Sequence, residues 1–254
     1  MPHWAIHIIT GAFLVVGVFL CSHGIAGMIG TWRYRRAARL RPHEPWTYDH
    51  RWRRDGSRYS AFDAMLRRFL AVLGWYAFLG PFAWVGLEVP GKRMFLVGAV
   101  LLGLFGLLLV SRWSTMFRDF LRYGNSVLRF DSFPYFLGGT FRAHLRAPRH
   151  VSLLVDLDLT LRCVEEKYVT SGTGRDRSTS VVCYEIWADT TTIPRERLEA
   201  IADDEIPVEF TIPGDQPPTN LGLHPPTYWE IEAKGTANGV DYQAYFLVPV
   251  YARS

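Results

Sequence analysis

What the chain lacks narrows its function first. The apolar runs 5–29, 69–87 and 94–110 contain no Asp, Glu, Lys or Arg, so a charged path for ions or protons through a bilayer has nothing to be built from. The sequence holds no His-Glu-x-x-His, no glycine-rich phosphate loop and no Gly-x-Ser-x-Gly frame around Ser132 or Ser180. An enzyme reading therefore has no recognisable constellation behind it. His3, His7 and His23 are the histidines that invite a metal, but two sit near one end of a helix and the third lies 16 residues further on. They cannot share one ion, and helix packing or interfacial polarity explains them. No catalytic, cofactor-binding or metal-ligating residue is assigned, and no cofactor is expected. Lysine is also scarce: 25 of the 28 basic residues are arginine. That skew fits a GC-rich bacterial genome, and arginine is also the better phosphate ligand.

What is present divides the chain in two. Residues 1–125 carry 16 Lys/Arg against 6 Asp/Glu, a net of +10, whereas residues 126–254 carry 12 against 18, a net of −6. An acidic second half argues against nucleic acid, whose phosphates are held mainly by Lys and Arg. In the first half the 25, 19 and 17 residues of the three apolar runs approach the roughly 20 that a helix needs to cross a hydrocarbon core. They predict three transmembrane helices, 5–29, 69–87 and 94–110, the last two forming a hairpin. A cleaved signal is the rival reading for the first, but no Lys or Arg precedes it and no small-x-small site follows a short apolar core. Trp113, Met116, Phe117, Phe120 and Leu121 then recur at helical spacing, predicting an interfacial helix over 112–123.

Between the first two helices lie eleven arginines and four acids, which predicts a basic cytoplasmic loop over 30–68. The N-terminus is then outside, 88–93 forms an outer turn, and the remainder of the chain lies in the cytoplasm of a bacterial inner membrane. Arg33, Arg35, Arg36 and Arg39, with Trp46 and Trp52 interleaved among the basic residues, are the candidate lipid-headgroup contacts. The same charges could instead only set topology. Ala99, Gly103 and Gly106 at i, i+4 and i+7 form a small face for close helix packing, against the chain's own helices first and against a second copy otherwise.

The second half reads in period two. Alternating apolar sets predict strands at 126–130, 140–146, 153–163, 182–188, 206–212, 229–233 and 240–250, with one short helix starting near Pro194. Asn238 and Gly239 mark a hairpin, and Pro249 marks an edge or an end. Seven such strands make an antiparallel β-sandwich over 126–254, following a membrane domain over 1–125. Asp156 with Asp158, and Asp203 to Glu205, fit a solvated strand face and a polar loop better than a cation site. Leu153 to Cys163 is apolar at odd positions and Val182 to Ala188 at even ones. Cys163 should then point inward and Cys183 outward, with the register offset from the symmetric pairing by one residue at a bulge, and no disulfide between them.

The stretches Gly138–Leu145 (GGTFRAHL), Ile206–Pro213 (IPVEFTIP) with Asp215, Pro217, Pro218 and Thr219, and Tyr228–Ala233 (YWEIEA) resemble the strand order and proline-marked loop of arrestin-like sandwich domains. With Glu44, Pro45, Trp46 and Trp52 in a basic loop before a hairpin, the first half is similar to bacterial membrane proteins that carry such a domain at the C-terminus. The resemblance implies a binding or scaffold module and carries over no catalytic residues. A phosphate-sensing charge core is not recognisable. The expected partners are membrane lipids and a protein, with self-association as an alternative; the alternative functions are an accessory subunit of a transport or envelope complex, or an enzyme with an unrecognised site.

Overall fold

The computed structural model describes residues 3–146, 149–172, 177–200, 205–222, 224–237 and 241–253. Its first element is α1 (His3–Leu40), followed by a short 3-10 turn, Pro45–Thr47, and by strand β1 (Gly56–Tyr59). Two long helices come next, α2 (Ala61–Glu88) and α3 (Arg93–Tyr123). Then follow β2 (Ser126–Phe130), β3 (Tyr135–Phe136), β4 (Thr140–Arg146), β5 (Leu154–Ser171) and β6 (Ser178–Pro194). The chain ends with α4 (Arg195–Ala200), β7 (Glu205–Thr211), β8 (Thr227–Ala237), β9 (Tyr242–Val248) and β10 (Val250–Tyr251).

The fold is mixed α and β, and two helices rather than the expected three are long and apolar enough among the described residues to cross a membrane, α2 and α3. Only 11% of the apolar window of each is buried, the reverse of a core helix in a water-soluble domain. α1 continues past the apolar run to Leu40 because arginine and alanine are good helix formers, and it stops just before Pro42. The separate interfacial helix expected over 112–123 is the continuation of α3, whose backbone meets no breaker until Gly124 at φ 68°.

The basic loop expected over 30–68 resolves into the end of α1, a loop, strand β1 and the first turns of α2. β1 pairs antiparallel with β2, Gly56 opposite Arg129 and Tyr59 opposite Ser126. The helical hairpin is therefore an excursion between two neighbouring strands of one sheet. Ser60 follows β1 directly and caps α2, its Oγ accepting from Asp63 N at 3.2 Å. Asn125, beyond the end of α3, accepts from Phe62 N at 3.2 Å and ties the two helix ends together.

Two four-stranded sheets, in the orders β1-β2-β4-β7 and β6-β5-β8-β9, share one core. Phe141, Ala143, Leu145, Ile206, Val208 and Phe210 from the first meet Leu157, Leu159, Leu161, Trp229, Ile231 and Phe246 from the second. Alternation places these side chains inward on β4, β7 and β9 as the period-two reading requires. Tyr123, the last residue of α3, enters the same core against Tyr242 at 5.3 Å between ring centroids. Besides β1, two short strands were not legible: β3 and β10 pair in parallel at one edge, where Pro249 separates β10 from β9. β9 is an edge strand, and the expected turn at Asn238 and Gly239 lies outside the described residues.

β6 corrects the phase expected for it. Tyr184 and Ile186 are 43% and 38% exposed, and it is Trp187 and Ile193 that turn inward. The bulge lies between Cys163 and Val164, and the offset exceeds one residue, with Cys163 opposite Trp187 and Cys183 opposite Glu166. β6 is an edge strand, and β8 accompanies β5 only as far as Glu165, so the far part of the β5–β6 ribbon has little apolar surface to bury against. All three cysteines are free, Cys163 buried and Cys183 exposed. Burial pushes the Cys163 thiol up to about 12.

Candidate functional site

The candidate lipid-headgroup residues separate into two groups. Arg33, Arg35, Arg36 and Arg39 lie exposed on the last turns of α1, Arg36 over the Trp32 ring at 5.5 Å. Trp46 and Trp52 are half-buried against the sandwich instead. Trp46 packs edge-on against Phe136 of β3 and Tyr251 of β10, and Trp52 donates its indole N–H to the Tyr251 hydroxyl at 2.8 Å.

Asp49 fixes this arrangement. Its Oδ1 accepts from Gly222 N at 2.6 Å, and its Oδ2 accepts from Leu221 N at 3.0 Å and from the Tyr251 hydroxyl at 3.2 Å. Charge-assisted bonds of this kind are about twice as strong as neutral ones. Burial first, and the Asp49 charge second, raise the Tyr251 phenol well above its usual range, so that it stays a donor. Gly222 is there because the Tyr34 ring of α1 lies flush on it; a Cβ would fall among the ring atoms. Tyr34 also meets Tyr48 edge-on at 5.5 Å. The end of α1 and the following loop are thus seated on the sandwich through one carboxylate and a set of aromatic rings. Beside this seat His50 packs on Trp52 at 4.8 Å, and burial lowers its pKa despite the nearby Asp49.

The candidate packing residues lie along α3. Ala99 and Gly106 are buried, and a Cβ on Gly106 would come within 2.8 to 2.9 Å of Tyr76 and Trp75 of α2. Gly103 has open space where a Cβ would stand and contributes its carbonyl, which accepts from the Tyr76 hydroxyl at 3.2 Å. Trp75 donates to Leu102 O at 3.1 Å. Gly86, outside the spacing pattern, makes the closest approach: a Cβ would collide with the Leu96 backbone.

Sequence reasoning missed a charged cluster on the outer face of the second sheet. Arg162 on β5 holds Glu230 Oε1 through Nε at 2.9 Å and Nη2 at 2.6 Å, Glu232 at 3.1 Å and Glu185 at 3.6 Å. Tyr245 lies under the guanidinium at 5.4 Å, and Lys234 reaches Glu232 at 2.8 Å. Burial raises the Glu230 pKa, and the Arg162 bonds offset part of that. For Glu232 burial also pulls upward, but hydrogen bonds from Lys234 and Tyr245 and the Arg162 charge together outweigh it and lower the pKa. With three carboxylates on one guanidinium, the cluster clamps β5, β6 and β8 together and leaves Arg162 little capacity for an outside anion. The legible signal was Glu230, Glu232 and Lys234 alternating with a buried phase on one strand.

Asp156 and Asp158 accept from Thr236 at 2.7 Å and Thr192 at 2.6 Å, in cross-strand pairs. Asp203 and Asp204 lie outside the described residues. Among the described residues, no three His, Cys, Asp or Glu side chains are grouped to hold a metal. No family model matches the chain, and no curated protein matches it. Among solved structures, the sporulation control protein Spo0M from Bacillus subtilis is similar at 16% identity and a TM-score of 0.31. That alignment covers 50% of this chain and 49% of Spo0M, so the chain matches about half the length of that protein.

Proposed function

We propose that this chain is a membrane-anchored, non-enzymatic binding or scaffold protein that holds an arrestin-like β-sandwich against the cytoplasmic face of a bacterial membrane. The observation that carries the proposal is the position of the α2–α3 hairpin. It leaves and re-enters one sheet between paired strands β1 and β2, while Leu101 and Leu108 stand 62% and 60% exposed on its surface. An apolar hairpin so tied gives the sandwich a fixed base and a lipid-facing shaft. The arrestin-like part of the proposal rests on the strand order and proline-marked loop read from the sequence, and the cytoplasmic side on the arginine bias of 30–68. An accessory subunit that engages partners through its helices uses the same exposed apolar faces differently.

The test exploits the antiparallel pairing of β1 and β2. A variant retaining residues 41–60 and 125–254, joined by an Asn-Gly turn in place of the hairpin, should fold as a water-soluble sandwich, whereas the full chain stays in membranes after alkaline carbonate washing. A discrete protein partner that binds both forms supports the scaffold reading. A partner bound only by the full chain supports the accessory-subunit reading, and release of the full chain by carbonate removes the anchor altogether.

A further inference from the structure

The loop seated by Asp49 borders an open concavity of about 710 Å³ whose chemistry is unspent. Arg41, Arg51 and Arg54 line it together with Trp46, Trp52 and Asp49. Among the described residues, none of the three guanidiniums has a carboxylate within ion-pair distance or a hydrogen-bond partner, although Arg53 between two of them pairs with Asp55. Asp49 is the one carboxylate in the lining, and its oxygens are occupied by two backbone N–H groups and the Tyr251 hydroxyl. The site therefore keeps three free cationic forks beside aromatic walls. Its volume lies within the roughly 300 to 1,000 Å³ of small-molecule sites.

We infer that this concavity binds a phosphate ester, the guanidiniums of Arg41, Arg51 and Arg54 taking the phosphate oxygens and the Trp46 and Trp52 rings taking the organic part. A guanidinium matches phosphate in a two-bond geometry that an ammonium cannot supply. Carboxylate ligands fit less well, since one carboxylate satisfies at most one or two forks, whereas a phosphate offers enough acceptor oxygens for three. The phosphate is that of an anionic lipid headgroup or of a soluble ester, the chemistry being common to both. The inference stands independently of the scaffold reading, because it rests only on the loop and the sandwich edge.

The experiment uses the full chain in neutral detergent. Calorimetric titration with phenyl phosphate probes a soluble ester, and native mass spectrometry with added phosphatidylglycerol, against phosphatidylcholine, probes the lipid. Saturable one-to-one uptake of at least one of the two anionic probes is expected. Arg51→Gln with Arg54→Gln, and separately Arg41→Gln, should weaken it by about tenfold, the worth of a charge-assisted bond. Arg195→Gln with Arg197→Gln, exposed on α4 and outside the lining of the concavity, should weaken it by less than about twofold. Uptake of phosphatidylglycerol alone identifies a headgroup site, and uptake of phenyl phosphate identifies a site open to soluble esters. All substituted side chains are exposed, and an unchanged melting midpoint confirms that each variant is folded. Uptake of neither probe, or equal weakening by the two sets of variants, overturns the inference.

Discussion

The sandwich and the helical part handle the same residue types in opposite ways. In the sandwich Arg129, Arg142, Arg162, Lys167, Arg195 and Lys234 each have a carboxylate partner, and Leu157, Leu159 and Leu161 are sealed in a core. Across 30–68, Arg53 alone of the eleven arginines has one among the described residues, and Leu101, Leu104 and Leu108 of α3 lie open. On the membrane-anchor proposal, the arginines without a carboxylate among the described residues and the open leucines are completed from outside the chain. In that proposal a bilayer supplies apolar tails to the helices and anionic headgroups to the arginines.

The largest effect that would sharpen this contrast is in the core. Trp229→Ala should destabilise the sandwich by about 3–5 kcal/mol, as large aromatic truncations do. The reason is that Trp229 is fully buried, packs on Trp187 and donates to Pro217 O at 2.9 Å. Leu104→Ala, on an open helix face, should change the melting midpoint in detergent by no more than the scatter between preparations. Equal losses would erase the distinction.

Next comes the Arg162 cluster, where removing one partner leaves buried charge. Arg162→Gln should cost about 3 kcal/mol near neutral pH. The pH dependence follows from Glu230, whose folded pKa is raised: the folded state then binds a proton more readily than the unfolded, and stability from this group rises as pH falls through the folded pKa. Glu232 acts oppositely, since its folded pKa is lowered and its contribution is lost as pH falls. Removing Arg162 takes away bonds that hold both carboxylates ionised, so the variant's deficit should shrink between neutral and mildly acidic pH in urea titrations. A constant deficit would show that Arg162 acts through packing alone.

These two regions were also unequally legible. β5 could be read from its odd-phase leucines because both neighbouring strands and a facing sheet enforce one buried side. β6 could not, because an edge strand with a bulge opposite it takes its phase from local register rather than from its own apolar pattern. β1 was hidden for a different reason. Its four residues, GSRY, carry no alternation, and they become a strand only because β2, on the far side of two helices, offers a partner. Trp46 and Trp52 suited a headgroup layer by composition, yet Asp49 turns them onto Tyr251, a placement that depends on contacts some 200 residues apart. The long helices were legible from charge-free length, but their ends were not, since arginines continue a helix as well as leucines do.

A smaller effect concerns the seat itself. Asp49→Ala should cost about 1–3 kcal/mol, the penalty for leaving buried donors unmatched, and should speed amide hydrogen exchange at Leu221 and Gly222 while leaving β8 protected. Exchange faster throughout the sandwich would mean that the seat is part of the core rather than a clasp on it. The smallest stability effect is expected from replacing Arg33, Arg35, Arg36 and Arg39 with Gln. Melting should move by less than the equivalent of about 0.5 kcal/mol, as exposed surface changes do. Reconstitution into anionic vesicles should nevertheless become weaker and less salt-sensitive.

The central claim is that an apolar hairpin crosses a membrane while both of its ends return to one sandwich on one side. Two cysteines read it directly: native Cys183, exposed on the sandwich, and Lys92→Cys, in the exposed turn between α2 and α3. With Cys21 replaced by Ser, a membrane-impermeant maleimide is applied to sealed inner-membrane vesicles turned inside out and to intact spheroplasts. The account predicts that Cys183 labels in the first and Lys92→Cys in the second, each silent where the other reacts. Labelling of both positions from the same side would contradict it.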